Sequence, residues 1–311
     1  MEYFDKNIED LNITKPLGLT IGNFDGVHLG HQQILKRLKI FSKKRNLFTG
    51  LLSFNPHPIS YFKKDKGFLI DSSDTKLDLL NKIGLDFFIS IKFDKNFSNY
   101  SYEDFEQKVL LKCINLKLLF SGLDFRYGKN RKGDINSLKK FSKKNNIDLL
   151  TFDDFLEVNS SNKISSSMIR NLIKEGNVLR ANILLGRPFE VSGKVIKGDQ
   201  RGRTIGIPTA NILYNKNQVE LSEGVYSVKV LLNNKQFEGI SNYGMRPTFN
   251  KKTPLLETHL FNFNKNIYGQ EIKVKFVAKI RDEIKFNNVE DLLKQIPLDI
   301  SKAKEILNNG N

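Results

Sequence analysis

Gly22-Asn23-Phe24-Asp25-Gly26-Val27-His28-Leu29-Gly30-His31 decides how the first half of this chain folds. The apolar run before it, Leu17-Gly18-Leu19-Thr20-Ile21, has the pattern of a buried strand. Behind it, Ile34, Leu38 and Phe41 keep helical spacing. The segment is therefore a strand, a glycine-rich turn and a helix. Gly22, Gly26 and Gly30 let the backbone approach a ligand closely, and the helix N-terminus offers N–H groups to an anion. His28 and His31 sit at that mouth. A single histidine is ordinarily structural, but two at this spacing behind such a turn suit a phosphate site, as donors to phosphate oxygens and to charge developing at phosphorus. Zinc is the competing reading, and four histidines and one cysteine in the whole chain argue against it.

The same rhythm continues outward. Apolar runs at 47–54, 86–91, 116–120 and 147–152 are strand-like, and 75–83, 102–113 and 135–145 are helical by spacing. Alternating strands and helices imply a parallel sheet covered on both faces, with ligands at the carboxyl ends of the strands. The Pro56-His57-Pro58 turn and the loop Gly122-Leu123-Asp124-Phe125-Arg126-Tyr127-Gly128 also follow expected strands, so they converge with the opening motif on one cleft. His57 fits a turn residue or a cleft residue equally. Further on, Ser165 or Ser166 can cap a helix, and with Arg170 the same hydroxyls can hold a triphosphate.

Near Gly186-Arg187-Pro188 the rhythm changes. Strand patterns at 189–196, 224–232, 236–243, 255–263 and 271–280, with turns at Asn233-Asn234 and Tyr268-Gly269, suggest a small closed barrel, followed by a helix over 289–307. A boundary near 185 gives two domains, 1–185 and 186–311. The stretch from Lys197 to Asn211 is rich in Gly, Pro and basic residues, among them Gly198 and Arg203. It is either a surface loop or a wrap for polyphosphate. Thr209 and Asn211, two apart, face one side of an extended segment and supply neutral oxygens suited to Mg²⁺. Alternation in Leu256-Glu257-Thr258-His259-Leu260 puts Glu257 and His259 on one face. A carboxylate at a barrel mouth can accept a proton from a substrate hydroxyl; a solvent-facing Glu on an amphipathic strand fits the same pattern.

Composition limits the alternatives. The net charge of +16 is spread along the chain rather than gathered in a patch, so a nucleic-acid partner is not expected. No apolar run reaches the length needed to span a bilayer, and the N-terminus lacks the pattern of a signal peptide, so neither a membrane partner nor secretion is expected. Cys113 is the single cysteine, consistent with a cytoplasmic protein.

Together these motifs resemble the bifunctional bacterial riboflavin kinase/FMN adenylyltransferase family (FAD synthetase). The resemblance rests on the opening stretch, Pro56-His57-Pro58, Asp124-Phe125-Arg126-Tyr127-Gly128, Ile164-Ser165-Ser166-Ser167-Met168-Ile169-Arg170, the Gly198-to-Asn211 stretch, Asn242-Tyr243-Gly244-Met245-Arg246-Pro247-Thr248-Phe249, Leu256-Glu257-Thr258-His259-Leu260 and Arg281-Asp282-Glu283. His-x-Gly-His is shared with many nucleotidyltransferases, whereas Pro-Thr-Ala-Asn after a Gly/Arg-rich loop is far more specific. The resemblance implies a Rossmann-like nucleotidyltransferase domain followed by a six-stranded antiparallel barrel with a C-terminal helix. Its implied substrates are riboflavin, FMN and ATP, with FAD as product and Mg²⁺ as cofactor. It also implies His28, His31, Gly22, Phe24, Gly26, Ser165, Ser166 and Arg170 around ATP in the first domain, with Asp124 and Phe125 lining the cleft. In the second, it implies Gly198, Arg203, Thr209 and Asn211 at Mg-ATP, Glu257 as base and Arg281 beside the flavin. A monomer or weak homo-oligomer is expected.

Asn55 stands before Pro-His-Pro where relatives often carry an acid, Ser167 replaces a usual threonine and Tyr127 a common phenylalanine. None removes a group that either reaction needs. The rival readings are a different adenylyltransferase with an unrelated barrel, against which Pro-Thr-Ala-Asn and Glu257 argue, and an RNA-binding protein, which would need aromatic-rich basic strands.

Overall fold

The computed structural model describes residues 1–64, 67–152, 164–198, 202, 206–248 and 251–309, with the backbone alone at 245–248 and 251–253. The chain forms two compact units, Met1–Asp65 with Ser73–Ser165, and Lys66–Ser72 with Ser166–Asn311.

The first unit is built on six parallel strands, β1 (Glu2–Lys6), β2 (Ile13–Ile21), β3 (Phe48–Asn55), β4 (Phe87–Lys92), β5 (Ile114–Gly122) and β6 (Asp148–Phe152), in the order β1-β4-β3-β2-β5-β6. Its helices are α1 (Leu29–Lys43), α2 (Pro58–Lys63), α3 (Ser73–Ile83), α4 (Lys95–Ser98), α5 (Tyr102–Asp104) and α6 (Ile135–Lys144). Successive strand residues feed two separate cores. Leu51 and Phe88 pack with Leu35 and Leu38 of α1, while Leu52, Phe87 and Ile89 pack on the other face with Leu138 and Phe141 of α6. This double burial is why the strands are continuous apolar runs. Strands β3 and β4 lie to one side of β2 and β5 and β6 to the other. The carboxyl end of β2, where Gly22 begins, is therefore the topological switch point at which such sheets bind ligands.

Two local features depart from the sequence pattern. Glu2–Lys6 is an edge strand, held by stacking of Tyr3 on Phe88 (5.3 Å between centroids) and of Phe4 on Phe87 (6.1 Å). The helix expected over 102–113 starts as α5, with a Ser101–Asp104 capping box, and then widens into a π-helix at Phe105–Leu111. Helix α1 lies close on β2 at Gly18, where a Cβ would stand 2.1 Å from Ser42 Oγ. Gly18→Ala is therefore expected to destabilise the protein by about 1–3 kcal/mol through overpacking. The thermal midpoint followed by circular dichroism reads this, and an unmoved midpoint would show that α1 shifts freely.

In the second unit, α7 (Ser166–Lys174) and α8 (Val178–Leu185) precede β7 (Phe189–Lys194), β8 (Ala210–Leu213), β9 (Gly224–Leu232), β10 (Lys235–Thr248), β11 (Lys251–Leu260) and β12 (Glu271–Asp282), and α9 (Val289–Asn309) ends it. All strand pairings in the order β7-β12-β9-β10-β11-β8 are antiparallel. The two edges meet where the Ile196 N–H donates to the Asn211 carbonyl (2.8 Å), which closes the expected barrel. Phe189, Tyr226, Tyr243 and Phe276 are buried in it. Asn233 and Asn234, both at positive φ (49° and 61°), make the β9–β10 turn. The strand missing from the sequence expectation is β8, four residues long and hidden behind a Gly/Pro-rich stretch.

A short piece of chain between α2 and α3 also belongs to this unit. Leu69 pairs in parallel with Gln218; its N–H donates to the Asn217 carbonyl (2.8 Å) and its carbonyl accepts from Val219 (2.7 Å). Gln218 Nε2 donates to the Ile70 carbonyl (3.0 Å), and Arg187 forms an ion pair with the buried Asp71.

Candidate active sites

The loop after β2 is held in an unusual backbone course. Phe24, Gly26 and Val27 all have positive φ (47°, 85° and 37°), which for the two non-glycine residues costs about 1–3 kcal/mol each. Burial of Val27 and Phe24 over Leu35 and Leu38 offsets that cost. Lys76 of α3 donates to the Asn23 carbonyl (2.6 Å) and to Ser53 Oγ (3.0 Å), and Gln32 Nε2 donates to the Val27 carbonyl (2.9 Å). The sequence gives no sign of Lys76, because its role arises only when α3 is laid beside the loop.

His28 is the N-cap of α1, and its Nδ1 accepts from the His31 N–H (3.3 Å). An accepting Nδ1 assigns the ring proton of neutral His28 to Nε2, which makes that atom a donor. The His28 and His31 rings stack at 3.6 Å, and Phe24 lies 4.5 Å from His31. Phe24, His28 and His31 thus form one stacked group, and Gly22 and Gly26 belong to the loop that carries it.

A cleft of about 830 Å³ opens in the same unit, lined by Gly22 and Asn23 together with aromatic rings from four separate segments. Phe54, Phe93, Phe97 and Phe105 supply one group. Phe125 and Tyr127, stacked at 5.4 Å, supply another. Asp124 and Phe125 line it as the sequence suggests. His57 does both things its sequence allowed: it lines the cleft, and its Nδ1 accepts from the Ile59 N–H (3.1 Å) to cap α2. The Tyr127 hydroxyl donates to Glu106 of the π-helix. Burial raises the Glu106 carboxyl above its usual range, against the pull of this hydrogen bond, and burial with the Glu106 contact raises the Tyr127 phenol. Lys63, Arg126, Lys129 and Arg131 are the basic members of the lining. Such an aromatic slot with cationic residues suits a flat ring system bearing an anionic group. Phe54, Phe93, Phe97 and Phe105 had no sequence signal, being single apolar residues on different elements.

Ser166 opens α7, directly after Ser165. Arg170 of that helix is buried, with its guanidinium 3.8 Å from the Phe68 ring centroid and Nε donating to the Phe68 carbonyl (2.8 Å). Ser166 and Arg170 belong to the second unit, whereas His28, His31 and Ser165 belong to the first.

On the barrel, Leu256, Thr258 and Leu260 are buried inside, so Glu257 and His259 lie on the outer face. Glu257 is directly opposite Asn211 of β8 on one side and Asn242 of β10 on the other. Asn211 is itself buried, covered by Gly198, where a Cβ would stand 2.4 Å from Asn211 Nδ2. Thr209 and Asn211 border a second cleft of about 270 Å³ with Pro208, Phe263, Ile267 and Tyr268. His259 Nδ1 donates to the Pro208 carbonyl (2.8 Å), fastening the approach to β8. Arg203 lies outside the described residues.

Arg281 is engaged elsewhere. Its Nε (3.0 Å) and Nη2 (2.8 Å) donate to Asp299 Oδ2 of α9, and Nη1 donates to the Asp282 carbonyl (2.9 Å). Past the end of β12, Glu283 as a whole is exposed, but its carboxylate turns in toward Asn242. This local burial raises its pKa, with the Asn242 contact acting the other way.

Comparison with known proteins matches both units. The FAD synthetase family model matches residues 11–168 and the riboflavin kinase family model residues 185–307. A bifunctional riboflavin kinase/FMN adenylyltransferase of Buchnera aphidicola subsp. Schizaphis graminum is 40% identical, over 97% of each chain. That of Escherichia coli K12 is 38% identical, over 92% of this chain and 91% of its own. A crystal structure described as a macrolide-efflux protein from Streptococcus pneumoniae aligns with a TM-score of 0.86 at 27% identity, covering 98% of this chain and 99% of its own.

Proposed function

The chain belongs to the bifunctional riboflavin kinase/FMN adenylyltransferase family, and on that footing we propose how its residues divide the work. The enzyme phosphorylates riboflavin with ATP to give FMN, and adenylylates FMN with ATP to give FAD and pyrophosphate. We assign adenylyl transfer to residues 1–185 and the kinase reaction to 186–311.

For the kinase, the carrying observation is Glu257 in register with Asn211 on the outer face of the barrel. Glu257 accepts the proton of the terminal ribityl hydroxyl as its oxygen attacks the γ-phosphorus and ADP leaves. Thr209 and Asn211 offer neutral oxygens, a donor set that fits Mg²⁺ sharing its remaining positions with water and phosphate. When bound, Mg²⁺ neutralises charge on the transferred phosphates. Gly198 gives the backbone room beside Asn211, and Arg203 adds positive charge in the same stretch.

In the first unit, an FMN phosphate oxygen attacks the α-phosphorus of ATP and pyrophosphate leaves. His28 Nε2–H and His31 stabilise charge on the phosphates, Gly22, Phe24 and Gly26 shape the loop, and Ser165 serves the triphosphate. The aromatic cleft holds the isoalloxazine, with Asp124 and Phe125 in contact. Arg281 stands beside the flavin of the kinase, and its ion pair with Asp299 ties the end of β12 to α9. We infer a cytoplasmic monomer or weak homo-oligomer without a nucleic-acid or membrane partner; among the described residues no helix is long and apolar enough to cross a membrane.

Incubation with riboflavin, ATP and Mg²⁺, followed by chromatography of the flavins, is expected to show FMN and then FAD. Excess EDTA is expected to stop both, and turnover persisting in EDTA would remove Mg²⁺ from the scheme. FMN without FAD would mean a silent first site, and no product at all would sink the proposal.

A further inference from the structure

One wall of the aromatic cleft is anchored from behind by a residue that does not line it. Phe125, half-buried, and Tyr127, buried, stack with centroids 5.4 Å apart and planes 15° apart. Tyr127 is fixed through both its backbone and its ring. Its N–H donates to the Gly133 carbonyl (3.1 Å), and the Gly133 N–H donates back to the Tyr127 carbonyl (3.0 Å). The ring then lies so close over Gly133 that a Cβ there would stand 2.8 Å from Tyr127 Cζ. Phe105 of the π-helix packs against it at 5.6 Å, and Tyr102 meets it edge-on at 6.3 Å.

The next residue of the π-helix takes the far end of the same ring. Glu106 is buried, and a carboxyl oxygen of it accepts from the Tyr127 hydroxyl. A phenol has a single O–H to donate. Ser137 of α6 stands against the same hydroxyl, but its own Oγ donates to Asp134 Oδ1 (2.9 Å). Phe105 and Glu106 are consecutive and both buried, so the π-helix grips one ring at its side and at its hydroxyl. Such widened turns recur at functional sites. The ring cannot tilt without breaking a bond that is buried away from water, which would leave a donor and an acceptor unsatisfied. Phe125, the more exposed of the stacked pair, takes its plane from that ring. A flat ligand gains most from a wall whose plane is set before it arrives, because nothing then has to be ordered on binding.

We propose that Glu106 is a positioning residue of the adenylyltransferase site: through the Tyr127 hydroxyl it sets the plane of the Phe125–Tyr127 wall on which the isoalloxazine of FMN stacks. This rests on the aromatic cleft being the flavin site, and goes beyond it by giving a role to a buried carboxyl that touches neither substrate.

The test measures FAD formation from supplied FMN and ATP on the full-length enzyme, with riboflavin phosphorylation on the same preparations as the control. Glu106→Leu is expected to raise KM for FMN roughly 3–10-fold, the scale of losing one well-placed aromatic contact, with KM for ATP unchanged. A merely destabilised enzyme would instead lose kcat, through fewer folded molecules, with both KM values unmoved. Glu106→Gln keeps an oxygen that accepts from the hydroxyl and is expected to recover most of the loss. Tyr127→Phe, the milder change, breaks the same bond from the other side and is expected to raise KM for FMN alike, so the test stands even where Glu106→Leu does not fold. Because both act through one bond, the double variant Glu106→Leu/Tyr127→Phe is expected to be no worse than the worse single one. The proposal is overturned if Glu106→Leu or Tyr127→Phe leaves KM for FMN at the parental value, if KM for ATP rises equally, if Glu106→Gln is as impaired as Glu106→Leu, or if the two single losses multiply in the double variant. Phe125→Ala is run in parallel: an unchanged KM for FMN there would remove the flavin reading of the cleft itself, whereas a raised KM there with Glu106→Leu at the parental value would sink the positioning role alone.

Discussion

Glu257→Gln is expected to lower riboflavin phosphorylation by roughly 10²–10⁴-fold, the range a positioned general base contributes, while FAD is still formed from supplied FMN. The substitution is nearly isosteric. Glu257 projects from the outer face, while the residues on either side of it, Leu256 and Thr258, hold the strand in the barrel interior. Thr258 also shares a buried hydrogen bond with Ser241 (2.6 Å). Replacing one carboxylate oxygen by NH₂ should leave the strand register intact and remove only the capacity to accept a proton. Thermal midpoints within a degree or so of the parent would support that reading. Assaying FMN production and FAD production separately distinguishes the outcomes: a kinase that still turns over at the parental rate would show that Glu257 is not the base, whatever happens to FAD formation.

His28→Ala should have the opposite selectivity, lowering FAD formation by roughly 10²–10³-fold, as loss of one preorganised donor to developing charge does, and leaving FMN formation from riboflavin intact. Two effects are combined in this residue. As the N-cap of α1, His28 satisfies the His31 N–H through Nδ1, and its ring carries the stack with His31. Loss of a cap costs about 1 kcal/mol of stability. His28→Asn supplies a good cap without a donor at the Nε2 position. It is therefore expected to restore thermal stability while remaining as slow as His28→Ala. An Asn variant with full activity would reduce His28 to a helix cap.

These two sites were legible to different degrees. The glycine turn, the paired histidines, the Thr209–Asn211 spacing and the alternation around Glu257 are local patterns, and a local pattern is legible in a short window of sequence. The parallel sheet followed from continuous apolar runs. The aromatic cleft did not, because Phe54, Phe93, Phe97 and Phe105 are ordinary core residues in sequence and become a surface only where strand ends and loops meet. Lys76 was hidden for the same reason: it acts on the Asn23 carbonyl, tens of residues away. The π-helix carrying Glu106 left no trace either, since the apolar spacing of 102–113 fits an ordinary helix, and the widening accompanies burial of Glu106 against Tyr127. Short β8 was lost because four residues are too few to show alternation.

The annexed segment around Leu69 bears on how such a gene can be divided. Residues 67–72 are encoded within the adenylyltransferase half yet fold with the barrel, where Leu69 bridges to Gln218 and Asp71 meets Arg187. One cut near residue 185 therefore does not yield two complete proteins. The downstream product lacks the bridging segment and the buried aspartate that pairs with Arg187, and the upstream product carries a strip of chain whose pairing partners are gone. Fission of this gene into two independent enzymes would have to be accompanied by repair of both new surfaces. Until such repair occurs, the two activities are inherited, translated and degraded together, in strict one-to-one stoichiometry.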